Sequence, residues 1–173
     1  MNLERDLDLL RPELGVSDYC DLLCRFYSLY VSWEPVAERL LWPQFPAWAS
    51  TRSRIGLLRT DLEHCGRASA PVTPISFPQI RSTPAALGAM YVLEGSTLGS
   101  QLLTRHFSNS LGITPESGGA FFNGYGPQTG DMWREFIAEL ESYAARTWTD
   151  QWIIAGARTM FDSVHQHLCG ALP

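Results

Sequence analysis

The sequence predicts an all-α fold, a multi-helical bundle formed by one domain over residues 1–173. Apolar residues recur at three- and four-residue spacing through most of the chain, the signature of amphipathic helices. Strand-like alternation is sparse, with at most Val72 to Ile75 extended. Proline and glycine cluster between the periodic segments, where connections belong.

Leu3, Leu7 and Leu10 share one face of a first helix, for which nothing before Leu3 supplies a cap. Arg11-Pro12 ends it, and Ser17 is placed to cap the next. Tyr19, Leu22, Leu23, Phe26, Tyr27, Tyr30 and Trp33 then mark a strongly amphipathic helix, with a shorter one expected after Pro35. Pro43 and Pro46 read as a connection. Ile55, Leu58, Leu62 and Cys65 mark another helix, stopped by Gly66. Residues 67–82, with three prolines, read as loop.

Thr83 followed by Pro84 reads as an N-cap and a first-turn proline, opening a long helix to about His106. Residues 112–128 form a glycine-rich connection. Trp133, Phe136, Ile137, Leu140 and Tyr143 outline a further helix. Thr149 or Asp150 opens the last, which carries Ile153, Gly156, Met160, Phe161, Val164 and Leu168.

Composition narrows the function. At 45% hydrophobic and 18% charged, the chain can bury a core. A net charge of -5 argues against nucleic acid as a partner. No apolar run approaches the ~18 residues of a membrane span, so no membrane partner is expected. Cys20, Cys24, Cys65 and Cys169 lack metal-ribbon spacing and no signal peptide precedes them. They read as reduced cysteines of a cytoplasmic protein. No metal-ligand set emerges: Asp162 and His165 stand alone, without the paired Glu and Glu-x-x-His motifs of a di-iron bundle.

The helix from Pro84 is unusual. Gly88, Gly95 and Gly99 fall on one stripe. Together they cost roughly 2–3 kcal/mol of helix propensity relative to alanine. Such a stripe admits either a neighbouring helix at close range or a flat ligand against the backbone. Ser96 and Ser100 beside it could donate to a ligand or bond back to the helix's own carbonyls.

The segment GAMYVLEGSTLGSQLL (Gly88 to Leu103) resembles the distal helix of bacterial biliverdin-producing heme oxygenases. FFNGYGPQTGDMWREF (Phe121 to Phe136), AGARTMF (Ala155 to Phe161) and LERDLDLLRPELGVSDYCDLLCRFYSLY (Leu3 to Tyr30) resemble further segments of that family, in the same order. The resemblance is strongest to the phytochrome-associated members. It implies a heme oxygenase-like helical bundle in which heme, both cofactor and substrate, lies between a proximal and a distal helix. Electrons come from an external donor, and a bacterial phytochrome is an implied partner.

By position, the resemblance makes Gly95 and Gly99 the distal glycines and sets Ser96 and Ser100 beside the dioxygen pocket. It places Tyr91 and Phe161 at the heme edge and Arg134 at a propionate. The family's proximal ligand is a histidine with a glutamate four residues later. Glu4 matches that glutamate, which would put the histidine just before Met1. His64, His106, His165 and His167 lie elsewhere in the sequence. Two expectations follow: a first helix truncated by an upstream native start, or a degenerate member that binds a tetrapyrrole or a phytochrome without catalysis.

Overall fold

In a computed structural model, residues 9–10 and 13–169 are described, and among them there is no strand. The helices are α1 (Val16–Leu40), α2 (Pro46–Thr51), α3 (Ile55–His64), α4 (Thr83–Leu111), α5 (Ala120–Asn123), α6 (Thr129–Thr147) and α7 (Asp150–Cys169). A short 3-10 turn, Gly126–Gln128, leads into α6. The all-α expectation holds. The helix expected around Leu3–Leu10, with Glu4, lies outside the described residues except for Leu9 and Leu10, which form a turn.

Several local expectations differ. Ser17 does not cap α1: Gly15 does, and its N–H donates to the Asp18 carboxylate at 2.9 Å. Pro35 sits inside α1 and does not start a separate helix. It forfeits one backbone donor, and the exposed face on which it lies accommodates its ring. The segment read as a connection around Pro46 is α2, with proline in its first turn. Ser82 holds the N-cap position of α4 in place of Thr83. That helix continues past His106 to Leu111, where Gly112 at φ 68° closes it. The N–H groups of Gly112 and Ile113 donate to the carbonyls of Ser108 and Phe107, the usual closure by a left-handed glycine.

Cysteine chemistry also departs from the expected reduced state. Cys20 of α1 and Cys65 at the end of α3 form a disulfide with their Cα atoms 5.9 Å apart. Helices packed side by side brought together residues separated by 45 positions, a proximity that spacing alone does not reveal.

The 29 residues of α4 span about 43 Å, and the other helices pack around it. On its first turns, α4 meets α7 at backbone range. A Cβ on Gly88 would stand 1.8 Å from the carbonyl oxygen of Ile153, and one on Gly156 would stand 1.9 Å from that of Ala85. The opposite end packs an aromatic core of Tyr19, Phe107 and Phe122, with the Tyr19 hydroxyl donating to the Gly118 carbonyl at 2.7 Å. The loop 67–82 is fastened to α1, where the Ser28 and Ser32 hydroxyl oxygens accept from the N–H groups of Thr73 and Ile75.

Candidate functional site

A cavity of about 670 Å³ opens beside the middle of α4. Its walls are largely apolar: Phe26 and Leu29 from α1, Phe121 and Phe122 from α5, and Phe161 and Val164 from α7. The size lies within the range of small-molecule and cofactor sites. Gly95, Ser96, Gly99 and Ser100 all line it, as do Tyr91 and Phe161.

The glycine stripe therefore divides. Gly88 lets α7 approach the backbone. Gly95 does something else, since a Cβ there would meet only the Trp133 ring, at an ordinary 3.5 Å. Gly95 and Gly99 line the cavity, so close helix packing is realised at Gly88, while the stripe farther along the same helix borders open space.

Ser96 and Ser100 donate to their own helix, to the carbonyls of Leu93 and Thr97, both at 2.7 Å. Both residues line the cavity, and a hydroxyl that donates to its own helix can still accept a hydrogen bond. Tyr91 lies half out of the protein, with its ring 5.3 Å from that of Trp133. Arg134 does not line the cavity. Its side chain is 73% exposed and forms an ion pair with Asp131 one turn earlier on α6.

Behind Gly95 lies a polar cluster that the sequence did not single out. Glu94 is buried and receives Arg52 Nη1 at 2.6 Å. The Tyr125 hydroxyl lies 2.9 and 3.0 Å from its two oxygens. Arg52 Nη2 also reaches the Met132 carbonyl at 3.2 Å and Glu135 at 3.3 Å, while its guanidinium packs over Trp48. The guanidinium of Arg54 lies over the Tyr125 ring, 3.9 Å from its centre. Glu34 of α1 accepts the N–H groups of Arg54 and Ile55 at 2.6 and 3.1 Å, capping α3. Burial raises the Glu94 carboxyl above its ordinary range, against the pull of Arg52, Arg54 and Tyr125. It likewise raises the phenols of Tyr30 and Tyr125, so both stay protonated donors.

Arg54 and Tyr30 line the cavity itself. The one sequence signal for this cluster is Glu94, a carboxylate between Leu93 and Gly95 in a small and apolar stretch of helix. Among the described residues, the cavity wall holds no histidine, cysteine or methionine. The arrangement suits a flat, largely apolar ligand laid against backbone, with polar donors at one end. The absent Cβ at Gly95 and the apolar walls fit a tetrapyrrole ring, and the described lining residues would offer its metal no histidine, cysteine or methionine.

The family model described as heme oxygenase matches residues 2–168. The chain is also similar to a protein named heme oxygenase from Xanthomonas campestris pv. campestris (strain 8004), with 29% identity over 156 residues covering 90% of each chain.

Proposed function

The chain belongs to the heme oxygenase family, and on that premise we propose that it cleaves heme oxidatively to biliverdin, carbon monoxide and ferrous iron, with electrons from a separate reductase. The observation that carries this reading is the largely apolar cavity lined by Gly95 and Gly99, where no other helix approaches the backbone of α4 at Gly95 as α7 does at Gly88. When bound, heme supplies the redox chemistry and the dioxygen-binding metal. The protein orients the ring and excludes competing reactions.

Gly95 and Gly99 let the ring approach α4 closer than a side chain would permit. Ser96 and Ser100 offer acceptor oxygens beside that contact. Phe26, Phe121 and Phe122 exclude bulk water, while Tyr91 and Phe161 border the ring edge. Arg134, exposed on α6, is assigned to a propionate at the solvent rim, where a guanidinium can exchange Asp131 for the ligand's carboxylate. The site is read as cytoplasmic. Among the described residues, no helix is long and apolar enough to cross a membrane. The resemblance along the chain, strongest to phytochrome-associated members, supports a bacterial phytochrome as the destination of the bilin.

A second reading is a tetrapyrrole-binding module without turnover. It is favoured by one observation: none of His64, His106, His165 and His167 lines the cavity. Loading the protein with hemin and adding a reductant under air separates the two. Loss of the heme bands with growth of a biliverdin absorbance and release of carbon monoxide supports the enzyme. Stable heme bands with no bilin support the binding module.

A further inference from the structure

The Cys20–Cys65 bond stands where α1 and α3 jointly hold one wall of the cavity. Glu34 of α1 caps the start of α3, and the disulfide fastens the other end of α3 to the same helix. The residues just before the two cysteines meet at Gly118. The Tyr19 hydroxyl donates to the Gly118 carbonyl at 2.7 Å, and a Cβ on Gly118 would lie 3.2 Å from the Cβ of His64. One turn before Cys65, the fully buried Asp61 accepts the N–H groups of Ala120 and Phe121 at 3.0 and 2.7 Å. Phe121 and Phe122 line the cavity, and the Phe122 ring packs against that of Tyr19. With only four residues, α5 is too short to hold itself as a helix, so its place depends on these anchors from α1 and α3.

Of these fastenings, the disulfide is the one that a change in redox conditions can open. Cys20 is 4% exposed, whereas Cys65 is half-buried at the end of α3 and offers the more reachable sulfur. We propose that this bond is a redox-sensitive latch on the cavity: its reduction by a dithiol frees the end of α3 from α1, loosens the Phe121–Phe122 wall and weakens binding of the cavity's occupant. One thiolate of the dithiol attacks Cys65 Sγ, and Cys20 leaves as a thiolate and takes up a proton. The second thiol of the dithiol then attacks its partner sulfur in the mixed disulfide and releases Cys65. The dithiol ends as a disulfide, having given two electrons and two protons to Cys20 and Cys65. Exchange with an oxidised disulfide of the same class restores the latch.

The test compares oxidised protein with protein reduced by dithiothreitol and then freed of it in the absence of air. In ligand-free protein, hydrogen exchange at the amides of Ala120 and Phe121 should quicken at least about tenfold on reduction, because their acceptor rides on α3. Hemin, taken as the occupant on the heme reading above, should bind the reduced protein about threefold to tenfold more weakly, followed at the Soret band. C65S should behave as reduced protein with or without reductant, and the wild-type comparison gives the answer should C65S fail to fold. C24S alters a thiol one turn from Cys20 but outside the bond, and should keep the full response. The proposal is overturned if dithiothreitol does not open the bond in native protein, if exchange at Ala120 and Phe121 is unchanged, or if hemin affinity is equal in the two states. A response lost in C24S would overturn it too. Failure of wild-type protein to bind hemin in either state would remove the heme reading, and exchange at Ala120 and Phe121 would then decide alone whether the bond holds the wall.

Discussion

Gly88 of α4 and Gly156 of α7 are reciprocal: each lacks the Cβ that would strike the other helix's backbone, at Ile153 and Ala85 respectively. Backbone cannot step aside as a flexible side chain can. Gly88→Ala and Gly156→Ala should each destabilise the protein by roughly 3 kcal/mol, the upper part of the usual overpacking cost. Gly95→Ala meets only the Trp133 ring at 3.5 Å and should leave stability unchanged or raise it by up to about 1 kcal/mol through helix propensity. Urea denaturation of the three variants checks the contrast.

The Arg52–Glu94 pair predicts a second result. Both side chains are almost wholly buried, so removing one strands the other. Arg52→Met or Glu94→Leu alone should cost roughly 3–5 kcal/mol. The double variant R52M/E94L should cost clearly less than the sum of the two, because neither charge remains uncompensated. Denaturation midpoints across the four proteins give the coupling directly. Additive losses would show that the pair contributes little as a pair.

Stability should also fall in alkali. Burial raises the phenols of Tyr19, Tyr30 and Tyr125 well above their ordinary value. Above about pH 10, the unfolded chain releases these protons while the folded chain retains them, so the unfolded state gains. The contribution is therefore intact below that pH and is lost as the pH climbs beyond it. Urea midpoints should drop between about pH 9 and about pH 11, and these three phenols should ionise together with unfolding, read as tyrosinate absorbance.

The Cys20–Cys65 bond closes a loop across 45 positions. On chain-entropy grounds such a cross-link is worth about 4 kcal/mol. Cys20→Ala and Cys65→Ala should each lower the urea midpoint, and a reductant should then have no further effect. Wild-type protein should fall to the same midpoint when reduced, the state that a cytoplasmic setting favours.

Much of the fold was legible because α1, α4, α6 and α7 bury faces written in three- and four-residue spacing. The six-residue α2 was not, as two prolines near its start look the same in a connection and in a first helical turn. The glycine stripe announced that something approaches α4, but only the neighbours of Gly88 and Gly95 say what. Arg52 and Arg54 share one connection, but Glu94 and Tyr125 come from two other segments far along the chain, so no local pattern joins the cluster. The Cys20–Cys65 bond was hidden for the same reason: it depends on α1 lying beside α3.

The most direct test of the central claim is an equilibrium titration with hemin, comparing wild type with Gly95→Leu. If the bare backbone at Gly95 is a heme contact, wild-type protein shows a saturable Soret shift at one equivalent. Gly95→Leu then binds at least about tenfold more weakly, the effect of crowding a packed contact, with an unchanged helical circular-dichroism spectrum. No saturable shift in wild type, or equal affinity in the leucine variant, would contradict the assignment of this cavity to heme.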